Sequence, residues 1–315
     1  MKKITITKQQ AGKRIDKFLA EEFFLYSRGE IIKKIKDGEV LINMKNIKPG
    51  YVLGDGDIIE FKNFSKEKNN KLIANDKIQI QILFQDENII VVNKQAGIQV
   101  HPSHNEKINT VVNVLINYFP EIINVHDDSA GANLRPGIVH RLDKDTSGVM
   151  IIARNTKSFK ELKKCFEERH IEKKYIAITE GTFEEEEGVI EKPLARSASY
   201  RKQVIARGNT KTTIREAQTF YKVCKKYGKY TLVEVCPKTG RMHQIRIHLA
   251  SIGHPVVGDS IYAGKKTGEE QIKAKRQLLH AKELKFTLFG KKYAFIAPIP
   301  DDFREFLADI DPALN

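Results

Sequence analysis

Cysteine is scarce in this chain of 315 residues: Cys165, Cys224 and Cys236 are odd in number and form no C-x-x-C pair. A disulfide framework and a zinc knuckle are therefore poor readings, and a reducing compartment fits. No stretch approaches the ~18 apolar residues that a membrane span requires. The opening residues, MKKITITKQQAGKR, lack the apolar core of a secretory leader. The expectation is a soluble, cytoplasmic protein with no membrane partner. Also missing are a G-x-x-x-x-G-K-[ST] phosphate loop and a G-x-G-x-x-G fingerprint, so nucleotide hydrolysis and hydride transfer lose ground. No solenoid-period repeat or exposed heptad is evident, and the chain is expected to be a monomer.

What is abundant is positive charge. Lysine and arginine number 54 against 40 acidic residues, a formal net charge of +14. Such a surface attracts polyanions, because neutralising phosphates releases condensed counterions, and nucleic acid becomes the leading partner. Hydrophobic residues, at 41%, are plentiful enough to build a core beneath that surface.

Residues 1–61 read as a self-contained unit: a short strand, a helix with Ile15, Phe18 and Leu19 on one stripe, a second helix, and strand-like segments. The second helix is expected to start at Ser27, where Ser27 and Glu30 have capping-box spacing, and to stop at Gly38. It carries Arg28, Lys33, Lys34 and Lys36 opposite Ile31, Ile32 and Ile35, so one face can be buried and the other offered to phosphates. Residues 62–77, KNFSKEKNNKLIANDK, are polar and aperiodic and read as an exposed linker.

Residues 78–315 form the larger domain. Strand-like runs fall at 88–93, 149–153, 174–179 and 231–235; helical patterns fall at 110–119, 158–168 and 243–252, the second with a Ser158/Glu161 capping box. The elements mix without regular β-α-β alternation. The expected class is α+β, with a mixed, largely antiparallel sheet in the larger domain and a small α/β domain before it.

The segment HRLDKDTSG at 140–148 lies between two apolar runs and has loop composition. Its carboxylates, Asp143 and Asp145, sit beside Arg141 and Lys144. A carboxylate among cations stays ionised, as a nucleophile must, although both aspartates could equally form Asx-turns. In GRMHQIRIH, residues 240–248, His243 and His248 are five apart, which fits helical zinc binding poorly. Arg241 and Arg246 there suit phosphate or a carboxylate. Between Arg196 and Arg215 no acidic residue occurs, while Arg201, Lys202, Arg207 and Lys211 surround or follow Tyr200, a plausible backbone-tracking surface.

The segment RPGIVHRLDKDTSG, residues 135–148, resembles the signature of the RluA-type RNA pseudouridine synthases, close to the large-subunit ribosomal RNA enzymes of the RluD kind. It is joined in order by NKQAG and HPS within 93–103, KKY at 173–175, GRMHQIRIHLA at 240–250, GHPVVGDSIY at 253–262 and LLHA at 278–281. GKRIDKFLAEEF with SRGEIIKKIKDGEVLIN is similar to the small RNA-binding domain named after ribosomal protein S-four. The resemblance implies an RNA-binding appendage followed by a catalytic domain that converts uridine to pseudouridine without metal or organic cofactor.

It also implies roles. Asp143 would be the catalytic aspartate, Tyr175 would lie against the target base, Arg246 would pair with Asp143, and Arg141 would help displace the base. Arg28, Lys33, Lys34, Lys36, Arg201, Lys202, Arg241 and His243 are the further candidates for RNA contact. The expected partner is structured RNA, large-subunit ribosomal RNA or a pre-ribosomal particle. A binding-only assembly factor and a glycoside-type hydrolase using Asp145 as a second carboxylate are the rivals. Two departures stand out. Lys94-Gln95-Ala96-Gly97 replaces the usual K-P-x-G, and Asn43-Met44 replaces Asn-Gly, which is expected to require a different turn because Met tolerates positive φ poorly.

Overall fold

A computed structural model describes residues 2–23, 26, 28–61, 72–103, 105–129, 131–197, 202–208, 210, 212–264 and 274–311. The first unit comprises β1 (Lys2–Thr5), α1 (Ile15–Glu22), α2 (Arg28–Lys36), β2 (Val40–Ile42), β3 (Lys45–Asn46) and β4 (Ile58–Phe61). Its antiparallel sheet has the order β1-β4-β2-β3. The stripe of α1 and the Ile31/Ile35 side of α2 close over Val40, Ile42 and Ile59 in one apolar cluster. The expected Ser27 cap lies outside the described residues.

The β2–β3 turn corrects an expectation. Asn43 (φ 48°) and Met44 (φ 65°) both take left-handed backbone, the geometry that Asn-Gly would adopt. The Met44 amide is held by the Glu60 carboxylate at 3.0 Å, and the Asn43 side chain bonds Asp57 and the Ile58 amide. These anchors impose the turn on a residue that disfavours it. Met44→Gly is therefore expected to stabilise this unit by about 0.5–1 kcal/mol, seen as a higher urea midpoint; an unchanged or lower midpoint would show the turn unstrained.

The larger unit contains β5 (Gln81–Gln85), β6 (Ile89–Lys94), α3 (Val111–Tyr118), β7 (Ser147–Ala153), α4 (Thr156–Glu167), β8 (Glu172–Glu180), β9 (Glu187–Ile190), β10 (Leu194–Arg196), β11 (Gln203–Ile205), β12 (Thr219–Tyr227), β13 (Tyr230–Pro237), α5 (Gln244–Ser251), β14 (Leu279–Leu288), β15 (Lys291–Ile296) and α6 (Asp301–Ile310). Its nine-stranded sheet runs β5-β6-β7-β14-β8-β13-β12-β9, with β15 on β14. The α+β expectation holds. Pairing is antiparallel except between β7 and β14, which meet in parallel at only Ser147–His280 and Ala281–Gly148. Gly148 (φ 121°) makes that meeting possible, since a Cβ there would collide with the Ala281 carbonyl.

β6 and β7 are buried along almost their whole length and share one apolar cluster with residues of α3 and α4, which explains their unbroken Ile/Val runs. The start of α4 differs from its expectation: Asn155, not Ser158, is the N-cap, and Ser158 answers from the N3 position. Asn155 reads as a cap in its own right, but the Ser-x-x-Glu spacing drew attention three residues downstream. The end of the proposed linker is tied down, because Asn75 is buried and exchanges hydrogen bonds with the Ile108–Asn113 region.

Candidate active site

The loop preceding β7 carries Asp143, and three sets of contacts hold its backbone. The Thr146 amide closes a turn on the Asp143 carbonyl at 3.2 Å. Lys94, fully buried at the end of β6, donates to the carbonyls of Gln95, Ile98 and Lys144 at 2.8–2.9 Å. Arg276 donates to the carbonyl of Asp145 at 3.1 Å while gripping Asp302 of α6 through two nitrogens. Burial pushes the Lys94 ammonium down to about 7 against the pull of Asp145 and Asp143. Lys94→Met would preserve volume but orphan three carbonyls. A loss of about 3 kcal/mol is expected in urea unfolding, and an unchanged midpoint would show that those carbonyls find other donors.

Asp143 projects into a cleft of about 740 Å³ between the loop, β8 and the β13–α5 connection. Arg246, on α5 and almost wholly buried, donates to Asp143 Oδ2 at 3.1 Å. Its other nitrogens bond both oxygens of Asp259, at 2.6 and 2.8 Å. Burial alone would weaken the guanidinium's hold on its proton, but the two carboxylates raise its pKa above the ordinary arginine value. Asp259 is opposed by burial in the same way, yet Arg246 and the amides of Ile261 and Tyr262 keep it below the usual carboxylate value.

The ring closes through a second path. The Tyr262 hydroxyl lies 3.1 Å from His243 Nδ1 and accepts from the Gln203 amide of β11, while His243 Nε2 is 3.9 Å from Asp143. Burial pushes Tyr262 up to about 12 and lowers His243 despite the nearby Asp143. His243 takes left-handed backbone (φ 55°) at the N-cap of α5, outside the helix expected to begin with it. Gln244 holds that entry: its carbonyl accepts from Thr239 and the Arg241 amide, and its amide donates to Gln218 and Thr219. His248 is a structural residue, buried and bonded to Thr219 and the Lys192 carbonyl.

Tyr175 sits in β8 opposite Val235 and Ala281 and lines the same cleft. Burial first, and the charge of Asp143 second, raise its pKa, so it is a neutral phenol at physiological pH. Arg141 lies at the mouth, with one nitrogen 3.4 Å from His101 Nε2. Burial pushes His101 down to about 4, and its Nδ1 faces the Pro102 carbonyl at 3.0 Å, which leaves Nε2 as the acceptor.

The sequence-derived residues thus divide. Asp143, Tyr175, Arg246, Arg141, Arg241 and His243 line one cleft. Arg28 is drawn with Arg14 onto the fully buried Asp16, and Lys34 pairs with Glu39, while Lys33 and Lys36 are exposed on α2. Lys202 lies beside β11; Arg201 and Tyr200 lie outside the described residues. Lys94, Asp259, Tyr262, Gln244 and Arg276 received no role from the sequence. All but Arg276 stand in the segments that carry the family resemblance, yet nothing local names their partners.

A basic cleft with one carboxylate clamped at its floor, carried by a mixed sheet, places the molecule among enzymes that act on nucleic acid. The chain belongs to the RNA pseudouridylate synthase family, which isomerises uridine to pseudouridine in RNA: the family profile matches residues 88–251, and an S4 domain matches 13–59. A protein of Escherichia coli O6:H1 named ribosomal large subunit pseudouridine synthase D is 34% identical, over 96% of this chain and 92% of its own length. The Bacillus subtilis uncharacterized RNA pseudouridine synthase YlyB is 32% identical over 98% and 97%. Among solved structures, human RNA pseudouridylate synthase domain containing 1 aligns with a TM-score of 0.57 at 26% identity, covering 74% of this chain and 86% of that one. Among the described residues, no helix is long and apolar enough to cross a membrane.

Proposed function

We propose that this chain isomerises specific uridines of large-subunit ribosomal RNA to pseudouridine, in the cytoplasm, with Asp143 as its catalytic carboxylate. The observation that carries the reading is the clamp itself: Asp143 faces an open cleft while Arg246, locked by Asp259, holds it from behind. The names of the nearly full-length relatives favour the large-subunit substrate.

The reaction breaks the bond between the ribose and N1 of uracil and joins the same sugar carbon to C5; C5 loses a proton and N1 gains one, so no electrons or groups are exchanged with outside. A paired base must first leave its stack, at a cost of a few kcal/mol, which phosphate contacts offset. Arg141, at the mouth, fills the vacated position, and the neutral Tyr175 gives the extruded base a flat wall and a hydrogen-bond donor. Residues 1–61, through Lys33, Lys36 and the Arg28 pair, together with Arg201 and Lys202, hold the surrounding RNA.

The test is mass-spectrometric mapping of unmodified large-subunit ribosomal RNA after incubation with the full chain and no added cofactor. Pseudouridine at defined positions is the expected result. Release of free uracil would instead establish hydrolysis, and binding without product would overturn the reading for this RNA.

A further inference from the structure

Arg169 stands where a helix ordinarily ends in glycine. It follows the last turn of α4 with φ 64°, its amide facing the Phe166 carbonyl at 3.3 Å and the next amide, of His170, bonding Cys165 at 2.9 Å. This is a Schellman termination, whose left-handed position suits glycine and strains a residue with a Cβ. A strained side chain kept at the rim of a cleft is a pointer to function.

Arg169 lines the cleft with three other cations from different elements: Lys173 of β8, and Lys238 and Arg241 of the β13–α5 connection. Lys173 shares a face of β8 with Tyr175, and a Cβ built on Gly240 would lie 3.9 Å from its ammonium. Among the described residues no carboxylate comes within ion-pair distance of any of the four; Lys163, at the same rim, is taken by Asp127 at 2.6 Å. Burial and the repulsion of Arg169 and Lys238 push Lys173 down to about 8, and burial with Arg215 and Arg169 lowers Arg241. Arg241 Nε donates to the Glu216 carbonyl at 3.2 Å, which supplies a partner but no formal negative charge; cations crowded in this way beside a cleft raise their own energy until an anion neutralises them.

We propose that Arg169, Lys173, Lys238 and Arg241 form a backbone-phosphate subsite, distinct from the Asp143–Arg246 clamp, that grips a nucleotide flanking the target uridine. The proposal rests on the reading of RNA as substrate. The subsite anchors the strand on the Tyr175 side of the cleft, so that extruding the base does not release it. Lys173 contributes a point charge, and the guanidiniums contribute directed donors.

The test uses the full chain and an RNA fragment that wild type converts to pseudouridine. Affinity is measured against salt for wild type, Arg169→Gly and Lys173→Gln, and again with single phosphates of the fragment replaced by uncharged methylphosphonate. Each variant is expected to bind roughly three- to tenfold more weakly, with the salt slope reduced by about 0.7 to 0.9. One neutral phosphate should reproduce the loss and make both variants silent. Arg169→Gly should meanwhile raise the urea midpoint, which separates lost contact from lost fold. Unchanged affinity and slope, or a loss that persists at every methylphosphonate position, would overturn the subsite. If no wild-type fragment yields pseudouridine, the underlying function fails instead.

Discussion

Asp143→Asn is expected to slow pseudouridine formation by at least ~10³-fold, about 4 kcal/mol of barrier, while RNA affinity stays equal or rises slightly. Asparagine keeps the shape and can still accept from Arg246, but it removes the negative charge from the floor of the cleft. Arg246 remains paired with Asp259, so the loss of one partially exposed carboxylate leaves the fold intact. Taking an anion out of a cationic cleft can only favour a polyanion electrostatically. The check is single-turnover product formation beside a binding titration. Product at the wild-type rate would remove Asp143 from the chemistry, and lost binding together with lost product would indicate a collapsed site.

Arg246→Gln should do more damage to the molecule itself. It would leave Asp259 buried without its cation and Asp143 without its clamp, and removing one partner of a buried pair costs roughly 3–5 kcal/mol. The pH dependence carries a definite sign. In the wild type Asp259 is held below its ordinary value of 3.8, so its contribution is fully present above about pH 4 and is lost as pH falls below that. In the variant the lowering influence of Arg246 disappears and burial acts against only two backbone amides. The stability gap between the proteins is therefore widest near neutrality and narrows below about pH 4. Urea midpoints from pH 3 to 7 would measure it, and a gap independent of pH would mean that the pair contributes packing without charge. Activity should fall with the Asp143 geometry, even at urea-free temperatures where the variant is folded.

Much of the architecture was legible locally. The Ile/Val runs of β6 and β7, the stripe of α1 and the helical patterns of α3 and α4 declare themselves through period and length, with the boundaries of the larger unit's elements displaced by one or two residues. The β14 strand (Leu279–Leu288) was harder. Residues 284–288 alternate buried and exposed, but the register shift between Ala281 and Glu283 changes the phase, so no single period runs through the whole strand. The Asn43-Met44 turn was misread for a comparable reason: propensity disfavours the conformation, but Glu60, sixteen residues away, enforces it.

Composition, short-range periodicity and an ordered set of motifs were enough to establish the family, the α+β class, the polyanion-attracting surface and the loop that bears Asp143. How the site is held emerged only from the packing of distant segments. Asp143 meets Arg246 across 103 residues and Lys94 meets the Lys144 carbonyl across 50. A buried charge acquires its partner from whatever the fold brings beside it, and chain separation carries no record of that proximity. The same holds for Arg169: its charge is plain in the sequence, but its left-handed backbone and its unbalanced neighbours exist only once α4, β8 and the β13–α5 connection have packed around one cleft.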